Sequence, residues 1–135
     1  FRDPRVVEHR PLGIIAPTLK ERLAPIRFAS VTASLMKLPS LDAGCEDYGQ
    51  AVIYKGGISG MERAFKLDTD HVFEAGKVEP VCGNTLAMLK ETRFAPWFEV
   101  IGEGKTHFGQ FPGCAAPDVF APVGENSEPL SRSCC

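Results

Sequence analysis

The chain has 135 residues, of which 44% are hydrophobic and 24% charged, with a net charge of −2 at pH 7. That length supports one domain with a modest core, and the balance of apolar and charged residues excludes a disordered chain and gives no footing for nucleic acid. No apolar run approaches the ~20 residues of a membrane helix and no basic-then-apolar leader opens the chain, so a cytoplasmic protein without a membrane partner is expected.

The first residue is Phe1 and the chain enters a strand-like stretch at once, which predicts a segment of a longer polypeptide. Residues 5–14 alternate loosely and contain Pro11, the pattern of an edge strand. Thr18-Leu19-Lys20-Glu21 fits a capping box, so a short helix is expected from Thr18 with Leu19 and Leu23 on one face. Phe28, Val31, Leu35 and Leu38 recur at steps of three and four, which predicts an amphipathic helix that ends before Pro39.

After a polar loop, residues 48–55 and 64–67 read as strands joined through "KGGISG" as a hairpin, because glycines supply the positive φ angles of a tight turn. Residues 71–73 and 77–81 form a second expected hairpin around Glu74-Ala75-Gly76. Asn84 or Thr85 is expected to cap a helix that runs through Leu86, Met88 and Leu89 and stops by Ala95. Residues 98–101 and 107–111 complete the strands. This order implies an α+β fold, an antiparallel sheet with helices packed on one face. Residues 1–111 form the domain, and residues 112–135, rich in Pro, Gly, Ser and Ala without periodicity, form a flexible cysteine-ended tail.

Few classes of chemistry find support. "GGISG" leads into another strand and not a helix, so it lacks the context of a nucleotide or S-adenosylmethionine loop. Zinc would need paired ligands such as C-x-x-C, and the chain has none; His9, His71 and His107 are each isolated on strand-like segments, where a hydrogen-bonded or partly exposed imidazole is the simpler reading. Glu46-Asp47 reads as a solvated connection before Tyr48. Lys90, Arg93 and Lys105 make no phosphate-binding cluster, and Met61 and Met88 make no partner-binding stripe.

The thiols remain. The five cysteines, Cys45, Cys82, Cys114, Cys134 and Cys135, are odd in number and irregularly spaced, which argues for reduced thiols over a disulfide framework. Cys82 is expected just outside the first turn of the helix and reads as a small buried hydrophobe at a tight turn. Cys134 and Cys135, adjacent on the tail, are the stronger candidates for exposed sulfur that could hold a soft ion or meet an oxidised cysteine.

The blocks "IRFASVTASLMKL", "CEDYGQAVIYKGGISG", "HVFEAGKVEPVCGNTLAMLKETRFAPWFEV" and "HFGQFPGC" occur in order, and over residues 1–114 the chain resembles the C-terminal domain of arsenite S-adenosylmethionine methyltransferases. The opening "FRDPRVVEHRPL" resembles the passage from the methyltransferase core into that domain. The resemblance implies a parent enzyme that transfers methyl groups from S-adenosylmethionine, bound by an N-terminal domain absent here, to arsenite or methylarsenite held by thiolates. Thioredoxin or glutathione would be the reductant. It implies no catalytic or cofactor-binding residue in this segment, which alone is expected to be inactive. One arsenic-binding cysteine of the family is placed near Phe1 and Arg2, where this sequence has none. Candidate sulfur ligands are therefore Cys134 and Cys135, with Cys82 and Cys45 behind them. Two alternatives stay open: a scaffold domain of a methyltransferase acting on another small molecule, and a non-catalytic thiol module for arsenite or metals.

Overall fold

The computed structural model describes residues 1–102, 104–114 and 118–120. The expected flexible tail lies largely outside these residues, as do Cys134 and Cys135.

The fold is α+β and its paired strands are antiparallel, as expected, but the strands are spread over four small sheets. β1 (Arg5–Leu12) pairs with β2 (Phe28–Ser34), and α1 (Pro17–Arg22) lies in their connection. β3 (Glu46–Asp47) pairs with β9 (Gly109–Gln110). β4 (Ala51–Tyr54) is the centre of a three-stranded sheet between β7 (Val78–Pro80) and β8 (Phe98–Ile101). β5 (Ala64–Lys66) pairs with β6 (Val72–Glu74). α2 (Gly83–Lys90) lies against the three-stranded sheet, and a 3₁₀ turn over Ala95–Trp97 leads into β8.

Several local expectations are corrected. In place of the helix expected over residues 28–38, the chain forms β2 up to Ser34 and irregular backbone over residues 35–38. A step of four keeps residues on one face of a helix or a strand alike, so Val31 and Leu35 fit either; β-branched Val31 and Thr32 and the paired β1 decide for the strand. α1 exists, but its N-cap is Ala16, no side chain caps it, and Pro17 occupies the first turn, where its missing N–H costs nothing. The strand expected over residues 48–55 is shortened to β4, with Gly49 at φ 70° before it, and Glu46-Asp47, read as a solvated connection, is β3. Neither expected hairpin forms: "KGGISG" joins β4 to β5 with Gly56, Gly57 and Gly60 at positive φ, yet β4 pairs with β7 and β8, while β6 pairs with β5.

The main core gathers Val52 and Tyr54 of β4, Phe65, Leu67, Phe73, Val81, Leu89 of α2 and Phe98 of β8. Its aromatic rings meet edge to face, Phe65 on Phe98 at 5.4 Å and Phe73 on Phe98 at 5.5 Å between centroids. Each buried side chain of this size contributes about 1.5–3 kcal/mol. Tyr54 is fully buried, and its hydroxyl donates to the Met61 carbonyl at 2.8 Å and accepts the Ile58 amide at 3.2 Å, which ties the glycine-rich connection to the sheet. A second cluster, Leu41, Ala87 and Met88, packs the loop before β3 against α2.

Among the described residues, the β1–β2 hairpin is held to this body by few bonds. The Thr69 amide donates to the Val6 carbonyl at 2.8 Å, and Arg5 reaches inward from the start of β1. Leu12, Leu19, Ile26, Phe28, Val31 and Leu35 are exposed on the hairpin and its connection.

Candidate functional site

The N-terminus of α2 is the organising feature. Cys82, fully buried, is the N-cap itself: its Sγ accepts the Thr85 amide at 3.4 Å and lies 3.3 Å from Thr85 Oγ1. This corrects the expectation that Asn84 or Thr85 caps the helix and that Cys82 lies beyond its first turn. Asn84 performs a different task. It is buried, its Oδ1 accepts the Asp42 amide at 2.7 Å, and its Nδ2 donates to the Asp42 and Gly44 carbonyls at 3.3 Å each. The residue before Cys45 is thereby fastened to the residues after Cys82.

The β3–β9 pair brings up the other side. Glu46 opposes Gln110 and Asp47 opposes Gly109, and the Phe111 amide donates to the Cys45 carbonyl at 2.8 Å. Cys45 precedes β3 and Cys114 follows β9, so antiparallel pairing carries the two toward each other. Cys45, Cys82 and Cys114 converge with their sulfur atoms all within 4.8 Å of one another. Buried Phe111 packs with them. Cys45 and Cys82 are free thiols, while Cys114 is disulfide-bonded in this structure.

Charge around this cluster is uneven. Burial pushes the Cys45 thiol up to about 12, reinforced by the charge and hydrogen bond of Cys82, and the Arg5 guanidinium opposes the shift without overcoming it. Arg5, itself buried, is the nearby cation. Its Nη2 donates to Asp3 at 2.7 Å and to Thr85 Oγ1 at 3.0 Å, and its Nη1 to Asp68 at 3.3 Å. The buried Nε of Arg5 finds no acceptor among the described residues.

Asp68 has four partners. It accepts the Asp70 and His71 amides at 2.9 and 2.8 Å and the His71 Nδ1 at 2.7 Å, besides Arg5. Burial opposes its ionisation, but His71, the Asp70 amide and Arg5 together hold the carboxyl below its ordinary value. His71 is thus a buried, hydrogen-bonded imidazole. His107 Nε2 lies 2.7 Å from Glu46 and His9 Nδ1 lies 3.1 Å from the Val119 carbonyl, so each histidine has a hydrogen-bonding partner, as expected.

Of the candidate ligands named from sequence, Cys45 and Cys82 are brought together, whereas Cys134 and Cys135 lie outside the described residues. Cys114 was not among the candidates, and its place in the cluster depends on a strand pairing more than sixty residues apart in the chain. No described helix is long and apolar enough to cross a membrane.

These features fit one known domain class. The model of a family described as the arsenite methyltransferase C-terminal domain matches residues 48–128, more than half of the chain, and the chain belongs to that family. It is 54% identical over 114 residues to an arsenite methyltransferase of Aquipseudomonas alcaligenes, a match covering 84% of this chain and 33% of that protein. Against an arsenite methyltransferase of Mus musculus it is 35% identical over 100 residues, covering 73% of this chain and 25% of the relative. A crystal structure of an arsenic(III) S-adenosylmethionine methyltransferase from Chlamydomonas reinhardtii superposes with a TM-score of 0.77 at 40% identity, over 81% of this chain and 36% of that one. The chain therefore spans about a third or less of the length of the relatives it matches.

Proposed function

We propose that this chain serves as the C-terminal domain of an enzyme that transfers methyl groups from S-adenosylmethionine to thiolate-bound trivalent arsenic. The observation that carries the reading is the 54% identity over 114 residues to a bacterial arsenite methyltransferase. The methyl donor, bound by the remainder of the parent enzyme, supplies an electrophilic carbon, and arsenic held through sulfur keeps its lone pair for attack. This domain adds a packed body over residues 1–111, a tail from 112 to 135, and sulfur, for which Cys45, Cys82, Cys134 and Cys135 are the candidates. The apolar side chains of the β1–β2 hairpin, Leu12, Phe28, Val31 and Leu35, offer a surface for the N-terminal methyltransferase domain of the same polypeptide. A small thiol or dithiol protein of the glutathione or thioredoxin type fits the need to return oxidised cysteines to thiols.

The test is an assay on the full-length parent with arsenite, S-adenosylmethionine and glutathione. Methylarsenicals are expected from the intact enzyme, with lower yield once residues 1–135 are removed. A parent that makes none, under conditions where it binds S-adenosylmethionine, overturns the reading.

A further inference from the structure

The three sulfur atoms at the start of α2 differ from a chance grouping in how they are held. Cys82 is fixed by its capping bond to Thr85, Cys45 by the Asn84 bridge and by Phe111, and Cys114 by following β9. They come from three separate parts of the chain, so no short motif announces them. With a metal–sulfur bond of about 2.3 Å, sulfur ligands sit roughly 3.8 Å apart, and a cluster within 4.8 Å reaches that by small side-chain rotations.

The donor set narrows the ligand. Three sulfurs and no oxygen or nitrogen donor select a soft centre over a hard cation. Three sulfurs are also enough for a trivalent group-15 centre, which needs no fourth ligand. A trivalent pyramidal centre whose lone pair fills the fourth direction meets the geometry with three.

We propose that Cys45, Cys82 and Cys114 form a reduction-gated three-thiol site that binds one trivalent arsenic atom on this domain. The choice of arsenic rests on the function proposed above. Cys114 enters only after its disulfide is reduced by a dithiol or a phosphine, which yields two thiols and the oxidised reductant. Arsenous acid then exchanges its three hydroxyls for three thiols: three As–O and three S–H bonds break, three As–S bonds form, three waters leave, and arsenic stays trivalent. Phe111 covers the centre with an apolar ring that keeps water from the As–S bonds.

The experiment uses the 135-residue chain, arsenite and a phosphine reductant, with native mass spectrometry and thiol counting as readouts. The expected result is one adduct heavier by an arsenic atom less three hydrogens, with three thiols consumed and no such adduct before reduction. Cys45→Ser, Cys82→Ser and Cys114→Ser each lose the three-thiol adduct; Cys134→Ser/Cys135→Ser keeps it. Because Cys82→Ser could disturb α2, Cys45→Ser, at a half-buried position, carries the decision, with its thermal midpoint as a folding control. Retention of the full adduct in folded Cys45→Ser, or its loss in Cys134→Ser/Cys135→Ser, overturns the site. Failure here with methylation intact in the parent removes this site alone; binding here with a parent inactive on arsenite removes only the enzymatic reading.

Discussion

Cys82 caps α2 by accepting the Thr85 amide on its sulfur, a bond of 3.4 Å in a fully buried setting. Sulfur is a weak acceptor, whereas serine is among the preferred N-caps. Cys82→Ala is therefore expected to lower stability by about 1–2 kcal/mol relative to Cys82→Ser, since alanine leaves the amide without a partner. Urea titration of both variants measures the difference. Equal midpoints would show that the capping bond contributes nothing.

Asn84 closes three hydrogen bonds across to residues 42–44. Asn84→Ala leaves the Asp42 amide and two carbonyls to find water and loosens the loop that carries Cys45. A loss of about 2–3 kcal/mol is expected, together with faster alkylation of the Cys45 thiol. If alkylation rates match the parent sequence, the loop is held by other contacts.

Asp68 joins Arg5 of the hairpin to His71 of the body, with all three side chains buried. Asp68→Ala strands the Arg5 charge, and a penalty of about 3–5 kcal/mol is expected in equilibrium unfolding. A penalty below about 1 kcal/mol would mean that the guanidinium is already satisfied by Asp3.

The same carboxyl fixes a pH dependence. Asp68 has a lower pKa folded than unfolded, so the folded state binds fewer protons and stability rises with pH across that window. The contribution is complete above about pH 4, the ordinary carboxylate value, and is lost as the pH falls through the lowered one. Thermal midpoints taken from neutral pH to about pH 3 are expected to fall more steeply for the parent sequence than for Asp68→Asn. Parallel curves would assign the acid sensitivity to other carboxylates.

Tyr54→Phe removes a hydroxyl that serves the Met61 carbonyl and the Ile58 amide. The expected cost is about 1–3 kcal/mol, with the Ile58 amide exchanging faster with deuterated solvent. Unchanged exchange at Ile58 would place the control of this connection in its glycines.

What sequence reveals here divides by range. The helix around Leu86, Met88 and Leu89 is legible because its signals are local, even though the cap falls to Cys82 and not to Asn84 or Thr85. The stripe from Phe28 misleads because spacing by four suits both regular structures, and only the partner β1 distinguishes them. The two expected hairpins fail for a related reason: β4 pairs with β7 and β8, neither its neighbour in the chain, while β6 pairs back onto β5 and leaves β7 to β4. The blocks that resemble the methyltransferase family are legible as a whole, and the family assignment follows them. Cys114 was passed over because its nearness to Cys45 exists only once Glu46 opposes Gln110.

The β1–β2 hairpin carries a last implication. Among the described residues it meets the rest through Arg5, the Val6 carbonyl and His9, and none of its side chains belongs to the buried clusters. Fraying of this hairpin ahead of the aromatic centre is the expected consequence, read as faster amide exchange in β1 and β2 than in β4 and β8. Any force or partner that grips this outrigger reaches the aromatic body through a few polar contacts, with the Arg5 guanidinium the buried one among them.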